Sequence, residues 1–130
     1  MNAETISFLL QDSGPEHVTA NNVLHALSKT MAETNAFLPK GMDNADLWMA
    51  RHGNPLASTE SAFAVAGAAG KLLEMGIRVD TAKGTADVAL TYSTGDRERL
   101  SLTSRAVADT LPMAICAAAM DYLSKKGVKT

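Results

Sequence analysis

Apolar and polar positions alternate with different periods along this chain, and each change of period marks an element. Residues 3–10 (Ala-Glu-Thr-Ile-Ser-Phe-Leu-Leu) read as a short helix. It must stop before Gly14-Pro15, because proline disfavours helix in the residue ahead of it. A longer helix follows, with Thr19 as N-cap and Val18 and Val23 placed as a hydrophobic staple. Leu24, Leu27 and Met31 fall on one face of it. Asn35 to Gly41, holding Pro39, reads as a loop. Asp43 or Asn44 then caps a short helix that carries Leu47, Trp48 and Met49 and closes by Gly53-Asn-Pro55.

Ser58 is the next cap, with Glu60 in the first turn. The helix it opens is expected over 59–75, with Phe63, Ala66, Gly67, Gly70 and Leu73 on its packed face and Gly76 as a left-handed cap. Each interior glycine costs about 1 kcal/mol relative to alanine, so close backbone packing is expected to offset it. Period-two alternation then predicts strands at 77–81, 86–93 and 99–107. One face of the sheet would carry Ile77, Val79, Val88, Leu90, Tyr92, Leu100 and Leu102. The other would carry Arg78, Asp80, Asp87, Thr91, Arg99, Ser101, Thr103 and Arg105. The connectors Ala82-Lys-Gly-Thr and Thr94-Gly-Asp-Arg-Glu have the length and glycine of hairpin loops. The pattern from Ser104 to Leu123 looks like one helix, but Pro112 belongs in a first turn. The last helix is therefore expected over 112–125, starting at Leu111 or Pro112 with Asp109 or Thr110 near the cap. Its buried stripe would be Met113, Cys116, Met120 and Leu123, and Lys125, Lys126 and Gly127 would finish it.

The fold class is thus α+β: a three-stranded antiparallel sheet packed by two helices, preceded by a small helical segment. At 130 residues one domain is expected, with 1–42 as an N-terminal extension and 43–126 as the core. A chain this long needs neither disulfide nor metal for stability. The net charge of −2 gives no whole-chain attraction to nucleic acid or to anionic membranes. The single Cys116 excludes an internal disulfide and a multi-cysteine zinc site, which suits a reducing cytoplasm. The start, Met1-Asn-Ala-Glu-Thr, lacks the basic and apolar regions of a signal peptide. The longest apolar-and-glycine run, Ala62 to Gly70, is far short of the ~20 residues that span a bilayer.

Two stretches stand out: Pro55-Leu-Ala-Ser-Thr-Glu-Ser-Ala-Phe-Ala-Val with Leu72-Leu-Glu-Met-Gly76, and Ala108-Asp-Thr-Leu-Pro-Met-Ala-Ile-Cys-Ala-Ala-Ala-Met. Together they resemble a family of small bacteriophage proteins, the phage ABA-sandwich domain. The family's closing phrase is A-x-T-P-x-A-I-C-x-A-A, and here one extra residue separates Thr110 from Pro112. The resemblance covers about residues 43–125. It implies an α–β–α sandwich and a gene of phage or prophage origin acting in the bacterial host cytoplasm. It carries over no catalytic residues.

Motifs for catalysis are lacking. Gly67-Ala-Ala-Gly-Lys71 approaches a phosphate loop, but Val65 stands where its first glycine belongs and Leu72 where serine or threonine belongs. His17, His25 and His52 are scattered. They suit surface or capping roles, or a metal site only if the fold gathers them with Asp12 or Glu16. Cys116 sits among alanines and reads as a buried, inert thiol. No cofactor and no metal are expected.

Two surfaces remain as candidates. The polar sheet face is either a solvated face or a platform on which Arg78, Arg99, Thr103 and Arg105 meet an anion or a partner. Trp48 and Arg51, beside His52, are either an interface anchor or, for Trp48, part of the core. If the ligand is a nucleotide, Trp48 or Tyr92 would stack its base. The function expected is a non-enzymatic, phage-encoded accessory or counter-defence factor that sequesters a small anionic, nucleotide-type ligand or binds a host protein. The alternative is a structural or assembly module that self-associates. A homo-oligomer is expected, because the apolar helices suit one sheet face and leave the other to be covered by symmetry.

Overall fold

A computed structural model describes residues 2–12, 15–33, 45–93 and 101–127. The chain runs α1 (Ala3–Gln11), a 3-10 turn (Pro15–His17), α2 (Ala20–Glu33), α3 (Ala45–His52), α4 (Thr59–Ala69), β1 (Leu72–Asp80), β2 (Thr85–Ser93), β3 (Ser101–Ala108) and α5 (Leu111–Gly127). The expected loop at 35–41, the caps Asp43 and Asn44, the connector after Ser93, and Arg99 and Leu100 lie outside the described residues. So do the side chains of Met31, Leu47 and Lys126.

The helix starts follow local chemistry. The Asn2 side chain accepts from Thr5 N–H at 2.8 Å, and Ser58 accepts from Ser61 N–H at 3.3 Å. Thr19 and Asn22 cap α2 reciprocally: Thr19 Oγ1 accepts from Asn22 N–H, and Asn22 Oδ1 accepts from Thr19 N–H. Val18 and Val23 are both buried, as a staple requires. Thr110 Oγ1 accepts from Met113 N–H at 3.3 Å, so Pro112 lies in the first turn of α5, where its missing N–H costs nothing.

The sheet is an antiparallel meander of order β1-β2-β3. β2 alternates without a break. Ala86, Val88, Leu90 and Tyr92 are buried against helices, and Asp87, Ala89, Thr91 and Ser93 are half-buried on the other face. Gly84, at φ +68°, closes the β1–β2 loop in a conformation that side chains disfavour. Asp80 Oδ1 accepts from Ala82 and Lys83 N–H and fixes that loop.

Three expectations need correction. The helix expected over 59–75 ends at Ala69, and residues 72–76 are strand. The reason is non-local. β2 is nine residues long, and a partner confined to 77–81 would leave the backbone of Leu90 to Tyr92 unpaired on that side. Leu72 to Met75 fill the gap, with a bulge at Leu73, and Gly76 lies in the strand opposite Ala89. Second, α4 packs through Ala62, Val65, Ala66 and Ala69, while Phe63 and Gly67 face outward. Third, α5 has no single buried stripe: every residue from Ala114 to Met120 is fully buried. It crosses β2 and β3 on one side and is packed by α1, α2 and α4 on the others. An alanine-rich helix is thin enough to be enclosed in this way. Ser7 Oγ–H reaches Ala117 C=O at 2.8 Å, which shows how closely α1 approaches it.

Gly70 is where the layers lock. Its backbone is extended and unstrained, but a Cβ there would lie 2.9 Å from the Tyr122 ring and 3.1 Å from that of Tyr92. Those two rings stack at 3.9 Å and 13°. The Tyr92 hydroxyl donates to Ala66 C=O at 2.6 Å, a carbonyl that the end of α4 leaves without a helical partner. Burial pushes the Tyr92 hydroxyl well above the ordinary phenol range. Gly70→Ala should therefore destabilise the fold by about 1–3 kcal/mol through overpacking. Gly67→Ala, where no atom lies within 4 Å, should be neutral or stabilising by up to about 1 kcal/mol. Urea denaturation of the two variants beside the parent measures both.

Candidate functional site

The face of the sheet turned away from α5 is open among the described residues, with no helix packed over it. Register places Glu74, Gly76, Arg78 and Asp80 of β1 on it, then Thr85, Asp87, Ala89, Thr91 and Ser93 of β2, then Ser101, Thr103, Arg105 and Val107 of β3. The polar face foreseen in the sequence thus exists, and the described helices pack on the other side of the sheet.

Part of the charge on this face is committed internally. The Arg105 guanidinium grips Asp87 with two bonds, Nε to Oδ1 at 2.9 Å and Nη2 to Oδ2. Asp87 lies directly opposite Arg78 in the register. The hydrogen bond from Arg105, reinforced by the charges of Arg105 and Arg78, holds the Asp87 carboxyl below its usual range. Thr91 and Thr103 share a hydroxyl hydrogen bond at 3.0 Å across β2 and β3. At the hairpin end a depression of about 610 Å³ is lined by Arg78, Asp80, Lys83, Asp87, Val79 and Val107, among others. Among the described residues, Arg78 and Lys83 form no ion pair there.

The sequence candidates divide. Arg78, Thr103 and Arg105 share the open face, but Arg105 is spent on Asp87 and Thr103 on Thr91. Arg99 lies outside the described residues. Trp48 is in the core, 4% exposed, with its indole N–H on Ser61 Oγ at 3.1 Å; Ser61 in turn donates to Gly53 C=O at 2.7 Å. It anchors α3 to α4 and is no surface anchor. Tyr92 is likewise buried under Tyr122, so neither ring can stack a base. Arg51 is exposed on α3, which packs with α2 and α4 and not with the sheet. Lys83 was missed as a site residue, because a lysine in a hairpin connector looks like ordinary loop polarity.

Other chemistry stays dispersed. Cys116 Sγ donates to Pro55 C=O at 3.3 Å, and burial pushes the thiol up to about 12. His17 is exposed near Glu16, His25 is exposed, and His52 packs on Trp48 at 4.6 Å. Among the described residues no group of three His, Cys, Asp or Glu side chains could hold a metal ion. No described helix is long and apolar enough to cross a membrane.

No family model matches this chain, and neither a curated protein nor a solved structure does. The likeness to the phage domain therefore rests on the sequence phrases alone.

The depressed carboxyl makes a pH prediction. A group whose folded pKa lies below its unfolded one adds stability above the unfolded value, about 4 for aspartate, and that stability fades as pH falls below it. Asp87→Asn and Arg105→Ala should each flatten the fall in stability as pH drops below about 4. Urea midpoints measured across that range test it.

Proposed function

We propose that this protein is a non-enzymatic binding module, a phage-encoded accessory or counter-defence factor that docks a host protein on the open face of its sheet. The observation that carries this reading is the face itself: three strands without a helix over them among the described residues, and with Asp87 and Arg105, at its middle, already paired. Asp87 is held by Arg105, Asp80 by turn amides, and hydroxyls and Val107 fill the space between. Matched charge and hydroxyls suit a broad protein surface, where polar groups need partners but no excess of one sign. A small polyanion needs uncommitted cations. Phage origin belongs to the proposal and is supported by the closing phrase around Pro112.

A second reading has its own observation. Arg78 and Lys83 flank the hairpin-end depression without ion pairs among the described residues, and a nucleotide-type ligand would be held there by its phosphate. The base would gain no stacking from Trp48 or Tyr92.

Affinity capture from phage-bearing host cells separates the two. A host protein should co-purify stoichiometrically with the parent and with Glu60→Arg on α4, and be lost with Ala89→Arg at the centre of the face. Equal capture by Ala89→Arg would refute the first reading. Thermal shift with inorganic phosphate and nucleotides tests the second. Stabilisation approaching 2.7 kcal/mol at about a hundred times Kd, absent in the Arg78→Ala/Lys83→Ala variant, would establish it.

A further inference from the structure

The two edges of the sheet are treated differently. On β3, Val107 N–H points out of the sheet and is met by Gln11 Oε1 of α1 at 3.2 Å. On β1, among the described residues, nothing pairs with the outer side. β1 is long, contains no proline, and exposes apolar side chains along its length: Leu73 is 55% exposed, Ile77 44% and Val79 59%. Ile77 and Val79 share the helix-facing side with Val88 and Ala86, yet α5 does not extend over them. An unprotected edge of this kind is a template for another strand.

The phase of the backbone says which groups are on offer. Because Val107 points away from β2, its opposite number Asp87 points toward β1, and Arg78, paired with Asp87, points toward β2. Alternation then leaves Met75, Ile77 and Val79 with N–H and C=O directed outward. A two-fold pairing of β1 with itself must bring outward residues opposite outward residues, which admits axes on Met75, Gly76, Ile77 or Arg78.

Charge chooses among them. An axis on Ile77 sets Glu74 against Asp80, and an axis on Arg78 sets that residue against itself, both like-charge contacts. An axis on Met75 leaves Glu74 facing Gly76 and gives Arg78 no acidic partner. Only the axis on Gly76 sets Glu74 against Arg78, twice by symmetry, and Met75 against Ile77 on the other face. Gly76 itself would be a non-hydrogen-bonded pair, in which Cα atoms come within about 4.5 Å, and the smallest residue stands at that closest approach.

We propose that β1 pairs antiparallel with β1 of a second copy of this chain, Gly76 against Gly76 and Glu74 against the partner's Arg78, joining two sheets into one of six strands. The pairing does not rest on the host-protein reading of the open face. It engages Arg78 at the rim of the hairpin-end depression and leaves Lys83, among the described residues, as the uncommitted cation there.

Light scattering and disulfide trapping test it. The chain should run at twice its 13.7 kDa mass. Gly76→Cys, whose side chain would meet only Ala89 Cβ at 4.0 Å, should form a disulfide-linked dimer under mild oxidation. Lys83→Cys at the hairpin loop should not, and the native thiol Cys116 is buried out of reach. Glu74→Arg, which keeps an exposed side chain on a solvent edge, should raise the dimer dissociation constant about tenfold. A monomer at every concentration up to the solubility limit would overturn the proposal. So would a dimer in which Gly76→Cys cross-links no better than Lys83→Cys, or one indifferent to Glu74→Arg. Each readout is independent of host-protein capture, so the two proposals can fail separately.

Discussion

The contact at Gly70 joins three elements that the sequence leaves far apart. Tyr92 comes from the middle strand, Tyr122 from the last helix, and the Ala66 carbonyl from the end of α4. The stacked rings need a chain segment with no side chain beside them, and Gly70 supplies it just where helix gives way to strand. The hydroxyl of Tyr92 satisfies a carbonyl that this early helix end would otherwise strand in an apolar interior. Because α4 stops there, β1 can begin at Leu72 and run the full length of β2. The nine-residue edge, its exposed apolar strip and its alternating charges all follow from that stop.

A second constraint sets which face of the sheet is dry. α5 is enclosed along its alanine-rich middle, so the sheet, α1, α2 and α4 can all approach its backbone closely. That concentrates the apolar surface of the molecule on one side of the sheet. What remains on the other is a set of side chains that find partners across strands rather than across layers: Asp87 with Arg105, Thr91 with Thr103. Such pairs suit a wet surface, where they organise side chains but contribute little to stability.

What was legible in the sequence was local. Ser58, Thr19 and Thr110 announced their helices through the side-chain oxygens that cap them, and Pro112 separated α5 from the strand before it. The polar face could be read from period two in β2 alone, because one residue in two there must avoid the core. What was not legible depended on residues distant in the chain. Leu72-Leu-Glu-Met has good helical propensity, and only the demand of β2 for a partner turns it into strand. Trp48 carries no local sign of burial; Ser61, thirteen positions away, gives its N–H a partner. Arg105 looks like a free cation until Asp87 is seen on the neighbouring strand. Alanine gives so weak a hydropathy signal that the complete enclosure of α5 was hidden in its own composition.

The burial of Cys116 has a chemical corollary. With its sulfur on the Pro55 carbonyl and its ionisation suppressed, the thiolate that oxidants and electrophiles attack is nearly absent while the fold is intact. Cys116 is therefore shielded from oxidants and electrophiles while the fold is intact, a latent group that becomes reactive only when α5 leaves its place at the centre.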